Sequence, residues 1–351
     1  MALVPEAEPA TPSRNGPPKR LAPQACWHHD PRLRQPHPCR RSVTPSAELP
    51  ANPGVADFDA LQAQPERWMT IVARLAARYS AAPAVPAGDG TVLVALLGRE
   101  LVLKLYPPFL RDHFEFERAM LAHLHDPQHG QLSLPTPRPV DSAEHAGWPY
   151  LVMTQLPGTP LDQVWPTLAQ DQRCAVLRTI GRLAAEVHAL PLGPMPALAP
   201  RWPSFLQGQR ERCLRRQQRN GLPAHLLSRL PAFLDGPVPE GPDVILTGEY
   251  TPFNLLYQGH GLSAMFDFGD GLVGPREYDW LGPLCFLAAG DAARIDALFD
   301  GYHGRPFDRH QREPLLRLLL LHRYSNLPAQ IAVPGWQAAP DFSALAVLIW
   351  P

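Results

Sequence analysis

The sequence predicts an α+β protein of two lobes: a small one built on antiparallel strands and a helix, then a larger, mostly helical one. Three observations predict it. Val92 to Leu97 and Leu101 to Tyr106 are short apolar runs joined by Gly98-Arg99-Glu100, the pattern of a β-hairpin. From Asp171 onward apolar residues return at helical spacing, as in Leu177, Ile180, Leu183, Ala184 and Val187. At 351 residues the chain is long enough to fill two cores.

The hydrophobic content of 45% is that of an ordinary soluble protein, and a formal net charge of -1 gives no general attraction to nucleic acid or membrane. The longest apolar stretches, such as Leu315 to Leu321, fall short of the ~20 residues that span a bilayer. Five cysteines, an odd number without framework spacing, fit a reducing, cytoplasmic compartment. The opening MALVPEAEPATPSR has acids and prolines where a signal peptide needs a basic and then an apolar region.

Residues 1–55 are dense in Pro, Ser, Ala and Arg without apolar periodicity and read as a disordered tail. Cys26, His28, His29, His37 and Cys39 within it are zinc-ligand types, but their spacing matches no zinc module, and Pro31, Pro36 and Pro38 resist a turn around an ion. Over Phe58 to Tyr79, the spacing of Leu61, Trp68, Ile71, Val72 and Leu75 predicts one amphipathic helix. The small lobe is assigned residues 56–155 and the large lobe 156–351.

Lys104, in the second strand of the hairpin, is one of only two lysines, the other being Lys19; every other cation of this type is Arg. A Lys kept in so Arg-biased a chain marks a place that needs a compact ammonium. Flanked by Leu103 and Leu105, it is costly to bury unless an anion meets it. Glu117, on the amphipathic stretch that continues to Leu121 and Leu124, is the candidate partner; Glu115 lies on a different face. Pro149 to Met153 reads as a buried strand, and Pro135 to Pro139 as a Pro-rich turn before it. In the large lobe Asp171 to Leu190 is helical, and the basic run Arg210 to Arg219 reads as a solvated helix face. Three further helices are expected at Leu281 to Ala289, Ile295 to Tyr302 and Pro314 to Leu327.

The chemistry concentrates between Leu246 and Asp279. Glu249 is followed five positions on by Asn254, and a Gly-rich turn and an apolar run then lead to Asp267-Phe268-Gly269. An acid, an Asn on a short loop and an Asp at the end of the next strand is the arrangement that phosphoryl transfer from a nucleotide needs: the acid accepts the proton of the attacking hydroxyl, and Asn and Asp hold the metal ions that bridge the phosphates.

This segment resembles the catalytic segment of the aminoglycoside phosphotransferase family, small-molecule kinases whose usual pattern is His-Gly-Asp-x-x-x-x-Asn followed by Asp-Phe-Gly. Gly248, Asn254 and Asp267-Phe268-Gly269 match; Thr247 stands where the family has His, and Glu249 where it has Asp. Asp279 matches the family's buried Asp that braces the catalytic loop, and the resemblance covers about residues 60 to 345. It implies a protein-kinase-like two-lobe fold, ATP or GTP as phosphate donor, Mg2+, and a small hydroxyl-bearing acceptor, which in this fold ranges from aminoglycosides to choline and homoserine. By the same resemblance Gly88 and Gly90 belong to the loop covering the nucleotide, Lys104 clamps the phosphates with Glu117 orienting it, and the Met153-Thr154-Gln155 hinge meets the adenine. Glu249 is then the base, Asn254 and Asp267 hold metal, and His188 packs on the catalytic loop. Asp270, Glu277, His322, Arg323 and Asn326 are candidates for acceptor contacts, and Thr251 for orienting the acceptor. The alternative is a nucleotide-binding pseudokinase, in which Thr247 and Glu249 mark lost catalysis.

Overall fold

The computed structural model describes residues 48–88, 90–248 and 250–351; the Cys26 to Cys39 cluster, Asp89 and Glu249 lie outside the described residues. Two helices, α1 (Val55–Gln62) and α2 (Pro65–Ala76), replace the single helix expected over Phe58 to Tyr79. The break falls at Gln64. A proline disfavours helical geometry in the residue before it and has no N–H to return to the preceding turn, whereas at the start of a new helix that donor is not needed. Composition puts residues up to 55 in the tail, yet packing begins sooner: Leu49 is buried, and the Trp148 indole donates to the Pro50 carbonyl at 2.9 Å.

The small lobe is a five-stranded antiparallel sheet of β1 (Ala84–Pro86), β2 (Leu93–Leu97), β3 (Leu101–Leu105), β4 (Pro139–His145) and β5 (Trp148–Thr154), in the order β1-β2-β3-β5-β4. The two strands that apolar runs do not announce, β1 and β4, are the edge strands. Each carries a proline, and an edge tolerates the missing ladder donor. The central β3 and β5 are apolar apart from Lys104 and the last residue, Thr154, because both faces of the sheet are covered. Leu103, Leu105, Tyr150 and Val152 pack on one face with Phe58, Trp68, Ile71 and Val72 from α1 and α2. The alternate residues Tyr106, Leu151 and Met153 join Phe114, Phe116 and Met120 of α3 (Arg111–Leu124) on the other. Strand periodicity therefore turns Lys104 toward α3.

The large lobe contains α4 (Gln170–His188), α5 (Trp202–Arg219), α6 (Glu277–Pro283), α7 (Ala292–His303), α8 (Arg312–Leu320) and α9 (Phe342–Ile349). The expected helix over Leu281 to Ala289 is the end of α6 running on into a π-helical turn, Leu284–Ala288. The one expected to reach Leu327 stops at Leu320: His322 to Ser325 fold back onto α5 and α6, where the Gln217 amide donates to the Ser325 hydroxyl at 2.7 Å, and Pro328 falls in the first turn of a separate short helix, Leu327–Gln330. Between α5 and α6 run four short strands. β7 (Asp243–Leu246) pairs with β10 (Leu272–Pro275), and β8 (Leu255–Gln258) pairs with β9 (Gly261–Met265) and with β6 (Thr159–Pro160). The core of this lobe is continuous with α3, whose Phe116 and Leu121 belong to the same apolar cluster as Leu177, Phe268 and Leu281. No helix of the described residues is long and apolar enough to cross a membrane, and Cys174, Cys213 and Cys285 are free thiols.

Helices α4 and α7 touch backbone to backbone. A Cβ on Gly181 would lie 2.1 Å from the Leu298 carbonyl oxygen, and one on Gly301 would lie 2.1 Å from that of Arg178. Gly181→Ala must push the pair apart, an overpacking cost of ~1–3 kcal/mol that the ~1 kcal/mol gain in helix propensity offsets only in part. A thermal melt should show a lower Tm for Gly181→Ala, and an unchanged one for Gly241→Ala, where the added methyl meets nothing within 4 Å.

Candidate active site

The Lys104 ammonium is buried and shared between two carboxylates. Its Nζ lies 2.7 and 2.9 Å from the two Glu117 oxygens and 2.8 Å from Asp267 Oδ1. Burial alone would pull its pKa down, but the charges of Asp267 and Glu117 outweigh it and hold the ammonium above its ordinary value. Glu117 is 1% exposed and also accepts from the Phe268 amide at 3.3 Å and from the Tyr106 hydroxyl. Glu115 instead pairs with Arg118 on the outer side of α3. Sequence reasoning did not single out Tyr106, although the signal was present: two positions beyond Lys104 on an extended segment, it faces the same helix.

Asp267 sits at the end of β9 with φ of 71°, a left-handed conformation that costs a non-glycine residue roughly 1–3 kcal/mol and persists only where the surroundings hold it. Here the ion pair to Lys104 holds it. The side chain is 28% exposed, and among the described residues Oδ2 has no protein partner. Asn254 is buried, and its carbonyl accepts from the Phe266 amide at 3.0 Å, which ties the loop to the residue just before Asp267.

Asp279, on α6, organises the catalytic loop from below. One oxygen accepts from Gly248 N at 2.7 Å; the other accepts from Thr247 N at 2.9 Å and Thr247 Oγ1 at 3.3 Å, and faces His188 Nε2 at 3.1 Å. The second nitrogen of His188 lies 2.9 Å from the Tyr302 hydroxyl, so this His is a structural brace. Gly248 has φ of 77°, and a Cβ there would come within 2.8 Å of the Asp270 carbonyl oxygen, so the position admits only glycine. Glu249, the sequence-derived base, follows directly but lies outside the described residues.

The other sequence-derived residues are more dispersed. Gly88 and Gly90 lie on the connection between β1 and β2; the Gly90 carbonyl accepts from the Gln62 amide at 2.6 Å, and the space around Gly88 is open. Met153 is a buried ladder residue of β5, opposite Val102 and Pro139. Neither these glycines nor Met153 hydrogen-bonds to the Lys104 group. At the end of β5, the Thr154 and Gln155 amides are already committed to the Arg138 and Glu100 carbonyls, at 2.9 and 2.7 Å. Thr251 is buried with an unpartnered hydroxyl. Among the candidate acceptor contacts, Glu277 and His322 are buried, His322 stacking on Tyr278 at 4.5 Å, while the Asn326 amide donates to the Gln330 side chain at 2.9 Å. Asp270 and Arg323 form an ion pair at 2.8 Å.

A β-sheet lobe whose strand Lys meets a helix Glu, joined to a helical lobe that supplies an Asn loop and an Asp at a strand end, defines a protein-kinase-like fold. Residues 82–315 match the model of the phosphotransferase enzyme family, and the chain belongs to that family as a small-molecule phosphotransferase. No curated relative matches the chain by sequence. Among solved structures, the GDP complex of aminoglycoside 2′-phosphotransferase-IIIa is similar with a TM-score of 0.59 at 14% identity, over 74% of this chain and 89% of that one. A macrolide 2′-phosphotransferase from Brachybacterium faecium gives 0.51 at 22% identity, over 81% and 98%. The aminoglycoside phosphotransferase APH(3″)-Id from Streptomyces rimosus, in complex with ADP and streptomycin, gives 0.54 at 18% identity, over 72% and 97%. At these identities the likeness is one of fold.

Removing one partner of a buried charge costs ~3–5 kcal/mol. Glu117→Ala should therefore lower the Tm strongly, and Glu115→Ala, on the exposed side, should leave it nearly unchanged; equal effects would reverse the assignment. A second expectation concerns acid. Burial, with the charges of Arg323 and Arg216, pushes the His322 imidazole down to about 3. The unfolded chain takes up this proton near pH ~6.5 and the folded chain does not. Stability present above that pH is therefore lost as pH falls toward the folded value, and His322→Gln should flatten the decline of Tm between those limits.

Proposed function

We propose that the protein transfers the terminal phosphoryl group of ATP or GTP to a hydroxyl of a small molecule in a magnesium-dependent reaction. The observation that carries this reading is the buried ammonium of Lys104 held between Glu117 and Asp267, a group of charges with no use in packing alone. Lys104 supplies the positive charge for the donor's inner phosphates, and Glu117 keeps it aimed. With the Thr154 and Gln155 amides engaged by the Arg138 and Glu100 carbonyls, the hinge after Met153 offers its next amide, that of Leu156, to the nucleotide base. Gly88 and Gly90, on the connection between β1 and β2, contribute to covering the phosphates.

Among the described residues no three His, Cys, Asp or Glu side chains form a ready-made metal cage. Magnesium does not need one, since it is held by one or two protein oxygens together with phosphate oxygens. The free Oδ2 of Asp267 fits that role, with Asn254 as the second donor. When bound, the cation neutralises charge on the transferring phosphoryl group. Glu249 accepts the proton of the attacking hydroxyl, its arm one methylene longer than the Asp of the family pattern. Structural neighbours in complex with GDP and with ADP plus streptomycin support a nucleotide donor and a hydroxyl acceptor. The free thiols are consistent with action in the cytoplasm.

A thermal-shift titration with ATP and GTP, with and without magnesium, tests the donor site. Wild type should be stabilised by a nucleotide only when magnesium is present, by ~2.7 kcal/mol at a hundredfold excess over Kd. Asp267→Ala should lose that response; a cooperative melt of wild type that neither nucleotide shifts would refute the reading. In turnover assays on hydroxyl acceptors, Glu249→Ala should lower kcat by ~10²–10⁴-fold and Glu249→Asp far less.

A further inference from the structure

Three residues past Asp267, the carboxylate of Asp270 gathers groups from both lobes. Its Oδ1 accepts from Arg323 Nη1 at 2.8 Å and from the Tyr324 hydroxyl, and His113 Nδ1 lies 3.3 Å away. Arg323 and Tyr324 belong to the segment that folds back after α8. His113 belongs to α3, one turn before Glu117 and on the same face. The turn between Asp267 and Asp270 is wedged beneath that helix: a Cβ on Gly269 would lie 3.5 Å from both Glu117 Oε2 and His113 Cβ, and one on Gly271 would overlap the Phe116 ring. The carbonyl of Asp270 meanwhile rests against Gly248 of the catalytic loop.

We infer that Asp270 is a positioning residue for phosphoryl transfer, which ties Arg323 and Tyr324 of the large lobe to His113 and so holds α3 with Glu117 in place against Lys104 and Asp267. Attachment at Glu117 alone fixes the distance of α3 from the metal-binding turn. A second attachment one turn away also fixes its rotation, which decides whether Glu117 reaches Lys104. In many kinases this Lys–Glu pair is completed only after a phosphate is added to a nearby loop and captured by Arg. Here an encoded carboxylate occupies the Arg-binding role permanently, so the pair forms without any modification.

The nucleotide part of the test rests on the donor reading above; the structural part does not. In wild type, hydrogen exchange of the backbone amides of residues 111–124 should be slow, and Asp270→Ala should accelerate it although the mutation lies in the other lobe. The same variant should bind magnesium–nucleotide about 5- to 50-fold more weakly, the size of a typical coupling between sites. Arg118→Ala, which removes the exposed pair to Glu115 and the guanidinium contact with the Phe114 ring on the same helix, should change neither. Asp270→Asn keeps the volume and one acceptor oxygen, and serves if the alanine variant does not fold, with smaller shifts in the same direction. A lowered Tm with unchanged exchange in α3 would reduce Asp270 to a packing residue and overturn the inference. If wild type binds no nucleotide, the donor reading fails, and the exchange measurement alone decides the role of Asp270.

Discussion

A single ammonium cannot sit in a protein interior without anions around it, and in this chain the anions come from places far apart in sequence. Lys104 lies on a central strand, Glu117 on the helix that covers the sheet, and Asp267 at a strand end in the other lobe. Each carboxylate is useful only where the other two groups already are. The sheet must present Lys104 on its α3 face, α3 must turn Glu117 inward, and the larger lobe must bring Asp267 up beneath both. Apolar packing follows the same path, since the α3 side of the small lobe and the interior of the large lobe are one continuous core. The lobes are thus joined twice around Lys104, by burial and by charge.

The catalytic loop shows why departures from the family pattern are compatible with its shape. Asp279 grips the loop chiefly through the Thr247 and Gly248 backbone amides, a hold that does not depend on the side chain at position 247. Thr247 loses the imidazole that the pattern expects but keeps a hydroxyl bond to the same carboxylate, and His188 approaches it from α4. Gly248 is the residue that cannot change, because its left-handed backbone passes against the Asp270 carbonyl. Loop geometry therefore rests on backbone donors and one glycine more than on the side chain at position 247. Phosphoryl transfer draws most of its rate from positioning and electrostatics.

Asp270 extends this logic across the molecule. Its side chain and its carbonyl touch, respectively, the α3 helix with the C-terminal segment and the loop at Gly248, so three elements distant in sequence meet on one residue. Arg323, a candidate acceptor contact by sequence, is engaged by this carboxylate, and His322 beside it is stacked into the interior. Both side chains are accordingly held in an interlocked frame and are not presented as free charges.

The sequence by itself determined the fold class and the pairing of Lys104 with Glu117. A lone Lys inside apolar flanks, a Glu on the inward face of the following helix, and an Asn and Asp at fixed spacing are local patterns with local physical meaning, and their pairing follows from chemistry. Element ends and edges were less legible: Pro65 splits a helix whose apolar spacing continues across it, and β1 and β4 are too short or too polar to announce themselves without neighbours. What only the tertiary structure decided are the contacts between distant segments. Tyr106 on Glu117, His113 with Arg323 on Asp270, and the glycine crossing of α4 and α7 depend on which turn lies under which helix. Spacing along a chain encodes the face on which a side chain lies; which face of another segment it meets is settled only when both lobes close on a common core.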